Sequence, residues 1–182
     1  MLKSKIKFTY RDYKNLPESE TKRYELLGGE LLMVPSPTSY HQRISWNLER
    51  ILGDFVSRHD LGFVYHAPLD VVFSQEDVAQ PDIFFISEEH FEIITEEHIR
   101  GAPDLIIEIL SPATAERDRT YKRTLYARHG VKEYWIVDPE TKSIEVMALQ
   151  EKGFETAQVY KMGESLSSPL LNKLSLNLEE VF

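Results

Sequence analysis

An α/β fold, a mixed sheet with helices packed on it, is predicted by three features of the sequence. Apolar residues recur at helical spacing over residues 40–58. Short apolar runs of strand length precede and follow that helix, on both sides of a second helical stretch. Gly-Gly, Ser-Pro and Asp-Pro pairs punctuate the runs as turns do. Strands interspersed with helices favour a sheet covered by helices. The 182 residues suit one domain, and the 42% hydrophobic content suffices for a sizeable core.

The elements follow in order. Residues 8–23 are polar and form an N-terminal extension over 1–23, in which Leu16-Pro17-Glu18-Ser19 could open a short helix. Gly28-Gly29 between Tyr24-Glu25-Leu26-Leu27 and Glu30-Leu31-Leu32-Met33-Val34 reads as a hairpin turn. Pro35-Ser36-Pro37-Thr38-Ser39 is a loop that supplies a helix cap. Ile44, Leu48, Ile51, Leu52 and Phe55 make residues 40–58 an amphipathic helix. Residues 63–66 and 69–73 read as strand, interrupted near Pro68, and Ser74-Gln75-Glu76-Asp77 as a turn. Strands follow over 82–86 and 105–110. Ser111-Pro112-Ala113-Thr114 opens a helix over 115–129, closed by Gly130. Residues 133–137 and 143–149 form a strand pair around Asp138-Pro139-Glu140-Thr141-Lys142, with a weaker strand over 154–160. The tail, 161–182, packs on the core or on a sister subunit, and its Leu170, Leu171, Leu174 and Leu176 make a homodimer plausible.

Composition narrows the chemistry. There is no cysteine, so disulfides and thiolate metal sites are excluded. A metal here would be held by carboxylate, imidazole or carbonyl groups, which suits magnesium or manganese. Residues 1–7 carry charge but no apolar core of a signal peptide, and no stretch approaches the roughly 20 apolar residues of a membrane span, so a cytoplasmic protein is expected. The net charge of −9 argues against a general nucleic-acid binder. One basic run exists: Arg117, Arg119, Lys122, Arg123, Arg128 and Lys132 occur in 117–132 with Asp118 as the sole acid. A solvated helix face is the commoner meaning of such a run, a phosphate-facing patch the rarer one.

Two acids stand out by context. Glu108 sits inside Ala102-Pro103-Asp104-Leu105-Ile106-Ile107-Glu108-Ile109-Leu110, a run apolar on both faces. A carboxylate there is costly unless something pairs with it, so it is either a structural ion pair or a functional group. Asp82 opens a second apolar strand after Pro81, where an ordinary strand-end aspartate is the competing reading. On neighbouring strands roughly 4.8 Å apart, the two carboxylates could share one cation. Asp104 is four residues from Glu108, about 13 Å along the strand, and is expected to cap it instead.

Four stretches together resemble the Uma-two family of restriction-endonuclease-like proteins, within the PD-(D/E)XK nuclease superfamily. They are Tyr24-Glu25-Leu26-Leu27-Gly28-Gly29-Glu30-Leu31, Gln80-Pro81-Asp82, the run from Ala102 to Leu110 continued by Ser111-Pro112, and Gly130-Val131-Lys132-Glu133-Tyr134-Trp135-Ile136-Val137-Asp138-Pro139. The resemblance implies a mixed central sheet flanked by helices, binding of Mg²⁺ or Mn²⁺, and hydrolysis of phosphodiester bonds in DNA. It implies that Asp82, Glu108 and the backbone carbonyl of Ile109 ligate the metal. One departure is plain: the superfamily's lysine position, two residues after the glutamate, is Leu110. Lys122 on the following helix is the substitute, and the competing reading is an exposed Asp118–Lys122 pair four residues apart. Glu30, Asp70 and His41 are possible additions to the site, for each of which a structural role is the commoner one. Tyr134-Trp135 is expected in the core. Neither a Ser-His-Asp triad nor a P-loop is suggested. The other reading is a catalytically inactive binding or assembly domain on the same fold, since fold alone does not confer activity; a third is an oligomeric structural protein whose buried acids pair with arginines.

Overall fold

The computed structural model describes residues 6–17 and 23–182. Helix α1 (Tyr10–Lys14) is capped by Thr9, whose side chain accepts from the Asp12 amide while Asp12 reaches back to the Thr9 backbone. The part of the expected 16–19 helix that falls on Glu18 and Ser19 lies outside the described residues. Strands β1 (Arg23–Leu27) and β2 (Glu30–Val34) form the expected hairpin. Gly28 and Gly29 both take positive φ, 60° and 78°, as a two-residue turn of matching twist requires.

Helix α2 (Ser39–Arg58) begins at Thr38, whose hydroxyl accepts from the His41 amide. It buries Ile44, Leu48, Leu52 and Val56, a row at spacing four that gives one apolar stripe. The strands β3 (Gly62–His66), β6 (Ile83–Ser87), β8 (Leu105–Ile109), β9 (Glu133–Asp138), β10 (Ser143–Gln150) and β11 (Gly153–Lys161) form a six-stranded sheet in the order β11-β10-β9-β8-β6-β3. Only β8 and β9 run parallel; the connection between them carries the second helical stretch. The sheet is therefore mixed and covered on both faces. Leu105, Ile107 and Ile109 of β8 join the α2 stripe in one core, while Ile106 joins Tyr126, Tyr134 and Ile136 in the other. This period-two alternation turns Glu108 toward the second helical stretch.

Three short strands, β4 (Val71–Val72), β5 (Val78–Ala79) and β7 (Ile99–Arg100), join the hairpin in a separate five-stranded sheet, β2-β1-β5-β4-β7. The 69–73 strand is thus shorter than expected, and β5 and β7 fall where no strand was predicted. The helix expected over 115–129 is also not uniform. It comprises α3 (Ala115–Arg117), a π-helical turn over Asp118–Lys122 and α4 (Arg123–Arg128). Gly130, at φ 86°, closes it as the sequence suggested. The tail folds onto its own chain: β12 (Ser165–Ser167) pairs with β13 (Ser175–Asn177), and Leu166, Leu171, Leu174, Leu176, Leu178 and Val181 are buried in the α2-side core. The tail thus packs on the core, the first of the two arrangements expected for it. Among the described residues no helix is long and apolar enough to cross a membrane.

Candidate active site

Glu108 is buried on β8 and meets the helix that follows. Its Oε1 accepts from the Lys122 ammonium at 3.0 Å and from the Tyr126 hydroxyl at 2.6 Å. Lys122 also lies 2.9 Å from Glu25 Oε1 and 3.5 Å from Asp118 Oδ1. Asp118, Lys122 and Tyr126 are spaced by four, so they stack on one helix face; the wider π turn between the first two reduces the drift that an α-helix would impose on such a row. Lys122 is therefore not an exposed member of an i,i+4 pair. Its side chain is 5% exposed, as is that of Glu108, with Glu25 at 3% and Asp118 at 2%. The Asp118 Oδ1 atom is buried without a hydrogen bond.

Three buried carboxylates thus surround one ammonium. Arg117 adds a second cation more loosely, 3.9 Å from Glu25. Burial alone would lower the Lys122 pKa, but Glu108, Glu25 and Asp118 override it and hold the group well above its ordinary value. Burial pushes Glu108 well up; Lys122 opposes this, and Asp118, Asp82 and Glu25 reinforce it. Asp118 is raised by burial too, against the pull of Lys122. The Tyr126 hydroxyl, buried beside Glu108, is also pushed well up and stays protonated.

Asp82 lies at the entry to β6. The β6–β8 register pairs Ile83 with Ile107 and Phe84 with Ile106, and its continuation sets Asp82 opposite Glu108. Asp82 Oδ2 accepts from the Ile109 amide at 2.8 Å. His41, on the first turn of α2, places Nε2 3.3 Å from that same oxygen and 3.1 Å from the Ile109 carbonyl. Burial would lower the His41 pKa, but the Asp82 hydrogen bond and charge and the Ile109 carbonyl raise it on balance. Asp82, Glu108, Lys122, His41 and Glu25 all line one cleft of about 790 Å³. A larger, more open depression of about 1120 Å³ between the 119–128 helical stretch and the β10–β11 turn holds none of these carboxylates.

The remaining candidates lie elsewhere. Asp104 is fully buried at the other end of β8, held by Lys132 at 2.8 Å, the Ser87 amide at 2.8 Å and His90 at 2.9 Å. Asp70 accepts from Tyr13 and Gln80 and ties α1 to the second sheet, outside the cleft lining. Glu30 is exposed at the hairpin turn and does not line the cleft. Tyr134 and Trp135 are wholly buried, as expected.

Glu25, Asp118 and Tyr126 are the members of the cluster that sequence reasoning missed. Glu25 carried the same signal as Glu108, an acid inside an apolar strand. Asp118 and Tyr126 stand four residues either side of Lys122 and follow once that lysine is turned inward. The basic run does not form a free patch. Beyond Lys122 and Arg117, Arg119 pairs with Asp138 and Glu145, Arg123 donates to the Phe154 carbonyl, Arg128 pairs with Asp77, and Lys132 with Asp104. Each cation is engaged within the fold.

A mixed sheet with a carboxylate at the start of one strand, another inside its neighbour and a lysine from the adjoining helix is an arrangement of the restriction-endonuclease-like class. Residues 10–179 match the model of the Uma2 family, described as "Putative restriction endonuclease", and the chain belongs to that family. An uncharacterised protein of Synechocystis is 28% identical over 132 residues, 71% of this chain and 74% of that one. A crystal structure from Anabaena variabilis, titled as a "putative nuclease belonging to DUF820", superposes with a TM-score of 0.80 at 23% identity, over 96% of this chain and 97% of the other. That likeness establishes the fold.

Proposed function

We propose that the chain is a divalent-metal-dependent endonuclease acting on DNA, with Asp82, Glu108 and Lys122 at its centre. The observation that carries this reading is the acid excess: Glu25, Glu108 and Asp118 are buried around Lys122 at the floor of a cleft that Asp82 also lines. A structural ion pair needs one partner per charge, and uncompensated buried carboxylates are costly. A hard cation bound by oxygens offsets that cost.

The residues present fit Mg²⁺ or Mn²⁺. Asp82, Glu108 and the Ile109 carbonyl offer oxygen donors only, and such ions complete their shells with water. Among the described residues no group of three or more His, Asp or Glu side chains is already set as a metal shell. Bound there, the ion would lower the pKa of a coordinated water and neutralise phosphate charge. The chain's own groups supply the rest. Lys122, kept charged by its carboxylates, is a fixed cation suited to the charge that develops on phosphoryl oxygens. Held as the ammonium, it has no free lone pair with which to act as a general base. The Tyr126 hydroxyl occupies Glu108 Oε1 together with Lys122, which fixes the orientation of the carboxylate. His41 Nε2 lies against Asp82 Oδ2 and the Ile109 carbonyl, so a cation taking those oxygens replaces the histidine's hydrogen bonds.

The test pairs calorimetric Mn²⁺ titration with cleavage of single- and double-stranded DNA. Wild type is expected to bind Mn²⁺ and to cleave with Mg²⁺ or Mn²⁺ but not with EDTA. Glu108→Gln is expected to lose both. Lys122→Arg, which keeps the charge but not the compact ammonium, is expected to bind Mn²⁺ and lose cleavage. Mn²⁺ binding by wild type without cleavage of either DNA would overturn the enzyme in favour of a nuclease-fold binding domain.

A further inference from the structure

The cations that the sequence singled out are consumed inside the fold, but Arg43 and Arg50 are among those that are not. Arg43 and Arg50 are exposed on α2, and among the described residues neither an ion pair nor a hydrogen bond holds them. The acids of that helix are engaged otherwise, Glu49 with His66 and Asp54 with Arg58. Trp46 stands between the two arginines, three residues after one and four before the other, so the three side chains share one stripe. That stripe is opposite the buried row of Ile44, Leu48 and Leu52. Trp46 is 61% exposed, whereas the chain's other tryptophan, Trp135, is fully buried.

The stripe meets the acid site at Trp46, with Arg43 and Arg50 outside the cleft lining. Trp46 lines the same cleft as Asp82, Glu108 and Lys122. It follows His41 by five residues, a rise of about 7.5 Å along the helix, or roughly two nucleotide steps of a stacked strand. Beyond Arg50 the stripe continues to Gly53, where a β-carbon would meet nothing within 4 Å. Internal packing therefore does not require glycine there, and a bare backbone permits close approach of a ligand.

We propose that the α2 stripe Arg43–Trp46–Arg50 is the track by which single-stranded DNA enters the cleft, an unpaired base stacking on Trp46 while the arginines hold neighbouring phosphates. An exposed indole face takes a base whose own face is free, and bases inside a duplex are already stacked on both sides. The two unpaired guanidinium groups give the stripe a local positive charge that complements a polyanion, against the repulsion of a chain of net charge −9. A second copy of the chain fits the stripe poorly, since a two-fold contact would set arginines against arginines. The entry direction, from stripe to acid cluster, rests on the nuclease reading; the binding itself does not.

Tryptophan emission reports the event directly, because Trp46 is the exposed one of two. The full chain in EDTA is titrated with a thymidine oligonucleotide of roughly 12 nucleotides and with a blunt duplex of the same length. The single strand is expected to quench Trp46 and to bind more tightly than the duplex. Anisotropy of a labelled oligonucleotide then measures the variants. Trp46→Ala is expected to weaken binding about tenfold or more with an unchanged melting temperature, and Trp46→Phe to retain part of it. Arg43→Gln with Arg50→Gln is expected to flatten the logarithmic salt dependence by about 1.4. Equal affinity of Trp46→Ala and wild type, or tighter duplex binding without quenching, overturns the proposal. So does a dimer in sedimentation that Trp46→Ala dissolves, which would give the stripe to a second copy. Binding without cleavage removes the nuclease reading alone, and cleavage with unaltered Trp46→Ala affinity removes this one alone.

Discussion

Lys122 is an ammonium closed off from water among carboxylates, and its removal tests what it balances. In Lys122→Met, Glu25, Glu108 and Asp118 would face one another with only the looser Arg117 nearby. Breaking a buried ion pair from one side costs about 3–5 kcal/mol. The sign with pH follows from the acids. Glu108 and Asp118 have raised pKa values in the fold, so protonation favours the folded chain and stability recovers as pH falls through those values. Lys122 holds both values down, so its loss raises them further, and the deficit of Lys122→Met against wild type is expected to be larger at alkaline than at mildly acid pH, as read by urea denaturation. A deficit constant across that range would show that Lys122 serves packing and not charge. At this scale the sequence was legible where an acid interrupted an apolar strand, as at Glu108. It was not legible at Lys122 without the family resemblance, because a lysine four residues from an aspartate looks the same on an exposed helix face. The fate of the other cations was hidden as well. Their partners, Asp77, Asp104 and the Phe154 carbonyl among them, come from distant segments.

Elements with a clear period were readable, and those without one were not. The α2 stripe of Ile44, Leu48 and Leu52 and the strands at 83–87 and 105–109 lie where their patterns put them. Strands of two residues, Val78–Ala79 and Ile99–Arg100, are too short to show alternation, and pairing with distant neighbours makes them. The π turn at Asp118–Lys122 leaves no periodic trace either, since one wide turn shifts the repeat only slightly. Gly53 gives the element scale its own test. Glycine inside a helix costs roughly 0.5–1 kcal/mol relative to alanine, and a methyl group at this position has open space. Gly53→Ala is expected to raise the melting temperature by about 1–4 °C in a scanning calorimeter. An unchanged or lower melting temperature would mean that the helix interior is already relaxed around the glycine.

Across the whole molecule, charge is kept at the seams between elements. Asp104 joins β8 to Lys132 and to the Ser87 amide at the end of β6, and Asp77 joins the hairpin turn at Gly28 to Tyr121 and Arg128. Burial would raise the Asp104 pKa, but Lys132, the Ser87 amide and His90 lower it on balance. A depressed carboxylate contributes stability above its unfolded value, here 3.8, and loses it as pH falls through the folded value. Asp104→Asn is therefore expected to be less stable than wild type at neutral pH, with the gap closing below about pH 4 in denaturant midpoints. A gap unchanged with pH would assign the loss to shape alone. The order in which the chain is made adds a constraint of another kind. The apolar side of the sheet that α2 partly covers is completed by Leu166, Leu171, Leu174, Leu176, Leu178 and Val181, and Asn47 of α2 donates to the Val181 carbonyl. A ribosome delivers α2 and β8 well before those residues. Until the last of them clears the exit tunnel, the nascent chain displays an unfinished greasy surface, which is the stage at which a holdase chaperone has most to grip.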